Sequence, residues 1–450
     1  MQQPDVWAND AVAMAAIRRN RTAHHLCVPV HVVLAGTVTA DARVGLVLDD
    51  ECGTMASHQP LPQEDWDAAL EGGFQPPTLP GNLPSFTACI SSNERPERIV
   101  ACTQFLRESG VARLCEQISA RPATEQELRR VHSAAHVEAM LRLGAGADTE
   151  AILRASTAFN TVFMNRCSID AARMAAGGAL EAVRSVCTGE TASAACVVRP
   201  PGHHSECGCA MGFGIFNSVA VAAAHAVTPA DGGGLGLQRV LIVDWDIHHG
   251  NGTQQIFAED DRVLYFSVHG LYRYPAFVKE DWERHSGPTY VGGARAQGRT
   301  INVAWTGEGY GDAEYAALWE RLLMPVAREF EPELVIISAG FDSAAGDEEG
   351  YQCTPVGYAY LTSELQKLAS GRIVVVLEGG YNIPAISYGF HACVAALAGL
   401  GAAGDGEGEV DTCSSSNPWQ RSGFGDGNAQ AIEDIELSIA AQRPYWSCLR

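Results

Sequence analysis

The chain of 450 residues carries a formal charge of −22, with 46% hydrophobic and 19% charged residues. That composition can bury a sizeable core, in one large α/β domain or two ordinary ones, and excludes a largely disordered chain. It lacks the basic footprint of a nucleic-acid binder; an acidic surface either attracts cations, such as lysine-rich tails or polyamines, or simply serves solubility.

Residues 1–42 read as a poorly defined N-terminal extension ahead of one domain over 43–450. The apolar stretch 26–38 is interrupted and too short to span a bilayer, so no membrane association is expected. The basic run Ile17-Arg18-Arg19-Asn20-Arg21 would suit an organelle transit segment, but Asp5 and Asp10 speak against one. The 14 cysteines form no CxxC pair and the start shows no signal-peptide pattern. Reduced thiols in the nucleus or cytoplasm are therefore expected. Residues 44–48 predict a first strand, 58–92 a long Pro- and Gly-rich loop insertion, and 99–109 and 125–143 helices. Apolar runs at 195–198, 240–243, 263–268, 334–338 and 373–377 then alternate with helical stretches at 217–226, 312–330 and 355–368. Runs of this kind are strands buried on both faces, and the alternation predicts a parallel sheet between helical layers. A Gly/Ser-rich loop over 401–428 and a terminal helix over 429–443 close the chain.

Nearly every apolar run ends in a polar or Gly-rich motif. Ligands of open α/β sheets bind at the carboxyl ends of the strands, so these motifs should converge on one rim. Asp246, His248 and Asp342 supply one nitrogen and two carboxylates. Three protein ligands and an open position make a catalytic zinc site; the carboxylates would cancel the charge of Zn²⁺, and Fe²⁺ is the alternative. His203 and His204 would handle protons, with Asp244 and Asn251 as candidate orienting partners. A carboxylate raises an imidazole pKa more than an amide does, so the two histidines should differ. Tyr381, in a Gly-rich turn, could donate to a developing oxyanion. Alone, each element has a plainer reading: a surface histidine pair, a polar strand end or a two-metal hydrolase, a strand–turn signal. Together, each after its own strand, they point to metal-assisted hydrolysis of an unreactive bond.

The segments RPPGHH (199–204), GFGIFN (212–217), VDWDIHHGNG (243–252), SAGFDSAAGD (338–347) and LEGGYN (377–382) resemble the zinc-dependent histone deacetylase family, class II branch. The resemblance runs over 44–449. It implies a three-layer α/β/α arginase/deacetylase fold with a central, mostly parallel eight-stranded sheet, and hydrolysis of an N-acetyl amide to amine and acetate. It implies Zn²⁺ on Asp246, His248 and Asp342, with His204 as the favoured general base beside His203 and Tyr381 as the transition-state tyrosine. It further implies a substrate tunnel formed by Gly212, Phe213, Tyr274, Glu349, Gly379 and Gly380. A structural K⁺ would be held by Asp244, by Asp246 and His248 through their carbonyls, and by Ser267 and Val268. Asn251 stands where class I members have Asp and points to class II.

Departures from the family pattern matter as much. Gly214 replaces a usual cysteine, and Tyr274 stands where Phe or Trp is usual. The ERPER segment at 94–98 is preceded by Ser92-Asn93 rather than His-Pro. Glu349 stands where most class II members have leucine and the polyamine-deacetylase branch has glutamate. A carboxylate at a tunnel mouth favours a slender cationic substrate. The end of the chain, 429–446, also looks like that branch, but its narrowing Pro-Glu-x-Cys-Glu segment is missing, 89–93 reading Cys-Ile-Ser-Ser-Asn. The expected activity is deacetylation of acetyl-lysine in histones or other proteins. Acetylpolyamine, such as acetylspermidine, is the alternative substrate, and a weakly active acetyl-lysine-binding scaffold is a third reading. The intact triad, histidine pair and Tyr381 argue against the scaffold. A ureohydrolase on the same fold would need extra aspartates that Phe341-Asp342-Ser343 does not provide. Co-regulator proteins are expected as further partners.

Overall fold

The computed structural model describes residues 43–49, 53, 55–71, 92–275, 285–400 and 427–450. The extension 1–42, residues 72–91 of the expected insertion and residues 401–426 of the Gly/Ser-rich loop lie outside them. One eight-stranded sheet organises the described chain. Its strands are β1 (Val44–Val47), β2 (Cys115–Ile118), β3 (Ser193–Cys196), β4 (Val240–Asp244), β5 (Val263–Gly270), β6 (Thr300–Trp305), β7 (Leu334–Ala339) and β8 (Ile373–Leu377), in the order β2-β1-β3-β8-β7-β4-β5-β6. Every pairing is parallel, so the sheet is parallel throughout rather than mostly so.

The central strands are Val-, Ile- and Leu-rich and buried along their whole length. Helices must therefore cover both faces. Helices Ser168–Thr188 and Ser218–Val227 pack on each other and on the sheet; Glu97–Glu108, Pro355–Gln366 and Ile383–Leu397 form a second pack. This is the expected three-layer arrangement. Asp244 stands in register with Ser267 on one side and Ser338 on the other, so β4 and β7 end almost level while β5 runs three residues further, to Gly270. Among the described residues no helix is long and apolar enough to cross a membrane.

Three local expectations change. The helix expected over 125–143 is two, Glu125–Leu128 and Ala134–Gly144. Ser133 starts the second by accepting the His136 N–H at 3.2 Å, and an N-cap residue cannot also continue a helix. The region 58–92 holds a helix, Gln63–Glu71, whose Trp66 is buried against Leu153. The stretch 312–330 is helical throughout but passes through a π turn at Trp319–Leu323, next to Pro325, which has no N–H to give to the preceding turn.

Candidate active site

The loop after β4 carries Asp246 and His248, and the loop after β7 carries Asp342. Their ligand atoms lie within 4.8 Å of one another. His248 Nδ1 is 3.0 Å from both Asp246 Oδ1 and Asp342 Oδ2. Backbone donors aim the carboxylates: Gly379 N–H to Asp246 Oδ2 at 2.9 Å, and Ile247 N–H to Asp342 Oδ1 at 2.9 Å. A Cβ at Gly379 would lie 2.5 Å from an oxygen of each aspartate, so only glycine leaves the pair undisturbed.

Asp244, Asp246, Asp342 and Glu378 are at most 1% exposed, and among the described residues no arginine or lysine forms a salt bridge with any of them. Burying four carboxylates with only the imidazoles of His203 and His248 to offset them is costly. The protein alone shows that cost: burial, then repulsion from Asp246, pushes Asp342 up to about 7. Burial would depress His248, but hydrogen bonds to Asp246 and Asp342 hold it well above the usual imidazole range. A nitrogen and two carboxylates around one point, with an excess of buried negative charge, fit a small divalent cation.

The histidine pair follows β3, its rings 4.0 Å apart. His203 Nδ1 meets Asp244 Oδ2 at 3.0 Å and its Nε2 faces Asp246 Oδ2 at 3.8 Å. Burial favours neutral imidazole, but Asp244 and Asp246 outweigh it and push His203 up to about 10. His204 Nδ1 meets Asn251 Oδ1 at 2.9 Å. Burial, then the neighbouring His203 and His248, holds His204 well below the usual range. The two histidines therefore differ in the expected sense.

The orientation of Asn251 is set by Glu206, whose Oε1 takes the Asn251 amide hydrogen at 2.8 Å. A carboxylate only accepts, so the Asn251 oxygen must face His204. His204 then carries its proton on Nδ1 and leaves Nε2 unprotonated. Glu206 was not singled out from the sequence, although it lies two residues beyond the histidine pair. Glu378 was also passed over. It accepts from Gly202 N–H (2.6 Å), His203 N–H (3.2 Å) and Ser338 Oγ (3.0 Å), tying β3, β7 and β8 together beneath the site.

A cavity of about 310 Å³ opens above this floor, lined by Ser92, Asn93, Thr161, His204, Gly212, Phe213, His248, Tyr274, Glu348, Glu349 and Tyr381. Gly212, Phe213, Tyr274 and Glu349 are among its lining residues. Gly379 and Gly380 are not: Gly379 sits against the two aspartates and Gly380, at φ +103°, against the backbone of Phe341. Phe213 and Tyr381 meet edge to face at 6.0 Å. Burial pushes the Tyr381 phenol well above its ordinary value, so it stays a neutral donor.

Tyr381 is held by a buried ion network that the ERPER and RPPGHH segments build. Arg98 donates from Nε to the Gly380 carbonyl at 2.6 Å and from Nη2 to the Glu378 carbonyl. Its guanidinium lies 5.2 Å from the Tyr381 ring centre. Glu94 clamps Arg98 Nη1 at 3.0 Å and Arg199 Nε and Nη2 at 2.8 and 2.6 Å. Asp347 Oδ2 accepts the Tyr381 and Asn382 N–H groups at 2.7 Å each. Of the potassium candidates, Asp244 and Ser267 are register partners on β4 and β5, Val268 follows on β5, and Asp246 and His248 follow β4. The Ser267 hydroxyl is engaged with His269 Nδ1 at 2.8 Å.

Residues 92–397 match the histone deacetylase domain. The chain is 41% identical to polyamine deacetylase HDAC10 of Homo sapiens over 79% of its own length and 50% of that protein. It is 37% identical to histone deacetylase HDA1 of Saccharomyces cerevisiae over 79% of its length and 49% of that protein. The chain thus spans about half the length of these curated relatives. Among solved structures, the HDA15 HD domain superposes with a TM-score of 0.69 at 31% identity, covering 91% of this chain and 96% of that one.

Proposed function

The chain belongs to the histone deacetylase family, and on that premise we propose that it hydrolyses the N-acetyl amide of acetyl-lysine in histones or other proteins. One observation carries the reading. Two adjacent buried histidines, one paired with a carboxylate and the other with an amide, adjoin a metal-competent triad at a cavity that His204 and Tyr381 both line.

Asp246, His248 and Asp342 would hold Zn²⁺, or Fe²⁺ by the same donors; when bound, the ion supplies a Lewis acid for the amide carbonyl and acidifies a water. The remaining work falls to the chain's own groups. His204, neutral and unprotonated at Nε2, is the general base that accepts the proton of the attacking water and returns it to the departing amine as the C–N bond breaks. His203 is held between two carboxylates, its Nδ1 3.0 Å from Asp244, and stands beside the base. Tyr381 donates its hydroxyl to the oxyanion that forms on the acetyl oxygen. Phe213 and Tyr274 give an aliphatic chain two aromatic walls. A structural K⁺ on Asp244, Ser267, Val268 and the carbonyls of Asp246 and His248 would offset part of the buried negative charge.

Acetylpolyamine hydrolysis is the second reading, favoured by Glu349 in the cavity wall. The deciding experiment is kcat/KM of the zinc-loaded protein on an acetyl-lysine histone peptide and on acetylspermidine, side by side. We expect the peptide to be preferred. Preference for acetylspermidine would establish the second reading, and turnover of neither, with zinc bound, would leave a scaffold.

A further inference from the structure

Glu349 does not stand alone at the cavity. Its Oε2 lies 2.9 Å from Arg273 Nη1, and its Oε1 faces His248 Nε2 at 3.4 Å. Arg273 Nη2 also donates to the Glu349 carbonyl at 3.2 Å and approaches Glu308 Oε1 at 3.6 Å. Arg273 is not among the residues that line the cavity, whereas Glu349 is.

The turn after β5 places it there. Gly270 N–H donates to the Ile247 carbonyl at 2.8 Å, and Arg273 N–H to the Gly270 carbonyl at 3.3 Å. A Cβ on Gly270 would lie 2.7 Å from Arg273 Cγ and 3.0 Å from the Tyr351 hydroxyl. The missing side chain is the space in which Arg273 folds back.

We propose that Arg273 is a specificity-determining residue: it keeps Glu349 paired, so the acidic wall does not serve as a binding site for a polyammonium chain. This rests on the deacetylase reading. An ammonium seeking Glu349 must displace a guanidinium that lies 2.9 Å from its carboxylate in an ion pair and is anchored by a hydrogen bond to the Glu349 carbonyl. The other carboxylate of the wall, Glu348, is exposed and already accepts from Asn93 Nδ2 at 2.8 Å. A peptide-borne acetyl-lysine presents no second ammonium inside the cavity and is indifferent to the pairing.

The test compares wild type, Arg273→Met, Arg273→Gln and the double variant Arg273→Met/Glu349→Leu. The first readout is the ratio of kcat/KM on acetylspermidine to that on an acetyl-lysine peptide. The second is calorimetric binding of unacetylated spermidine, which needs no turnover. Both single variants should raise the ratio and the spermidine affinity about fivefold or more, the scale of a partly exposed charge pair. The double variant should lose the gain, because the carboxylate that produced it is gone. An unchanged ratio and affinity in both single variants, or a gain that survives in the double variant, overturns the proposal. Should the wild type hydrolyse neither substrate, the deacetylase reading falls, while spermidine binding still decides the role of Arg273.

Discussion

Replacing Glu94 by Gln tests whether the buried ion network positions Tyr381. Glu94 and Arg98 are fully buried, and so is Arg199; Glu94 accepts three short hydrogen bonds from the two guanidinium groups. Burial alone would raise the Glu94 pKa, but Arg199 and then Arg98 bring it from 4.5 down to about 2. At about 1.36 kcal/mol per unit, ionisation in the folded state is favoured by roughly 3 kcal/mol. That agrees with the ~3–5 kcal/mol lost when one partner of a buried pair is removed. With an unfolding entropy of about 2.1 cal/mol/K per residue, a chain this long loses roughly 1 °C per kcal/mol, so Tm should fall by about 3–5 °C at pH 7. Glu94 is held below its unfolded value, so its contribution is complete above about pH 4.5 and fades as pH falls toward about 2. The gap between wild type and E94Q, measured by thermal and urea unfolding, should shrink to less than half by about pH 3. The variant should also lose kcat, since Arg98 would grip the Gly380 and Glu378 carbonyls less firmly. A Tm within 1 °C of wild type at pH 7, or a gap that does not close on acidification, refutes the reasoning.

Tyr381→Phe should lower kcat by about 10²–10³, the usual cost of one oxyanion donor; a near-wild-type kcat removes it from the chemistry. Gly379→Ala should weaken zinc binding by about 10–100-fold, as displaced ligand supports do, because its Cβ lands on both aspartates. Competition against a chelator reads this directly, and wild-type affinity would show that the carboxylates shift without loss.

The five apolar runs declared themselves as strands because burial on both faces excludes charged residues, leaving Val/Ile/Leu in β4, β7 and β8, small residues in β3 and aromatics in β5. β2, Cys-Glu-Gln-Ile, gave no such signal: it is an edge strand with two exposed residues, so nothing requires it to be apolar. β6 escaped for want of a long run, although all of Thr300–Trp305 is buried. Ile383–Leu397 was missed for the opposite reason, being apolar on nearly every side and lacking a polar face to set the helical period. At the site, residues after strand ends were readable because topology brings them together. Glu206, Arg98 and Arg273 were not, since each acts on a neighbour through a contact that only folding creates. Glu349 shows the difference most plainly: its position was legible, whereas its charge partner sits 76 residues away in a turn with no motif.

β8 is synthesised last of the eight strands yet lies fourth in the sheet, between β3 and β7. Until residue 377 is made, both neighbours present unpaired backbone edges toward a gap. Elongation from residue 343 to 377 takes roughly 2–7 s at ~5–20 residues per second. An emerging chain therefore already carries Asp246, His248 and Asp342 while its interior hydrogen-bonding edges remain open to another nascent chain. Ribosome stalling or truncation in this interval should yield aggregates that retain every proposed metal ligand. Chaperone engagement during those seconds would then govern the yield of folded protein more than the final stability of the sheet.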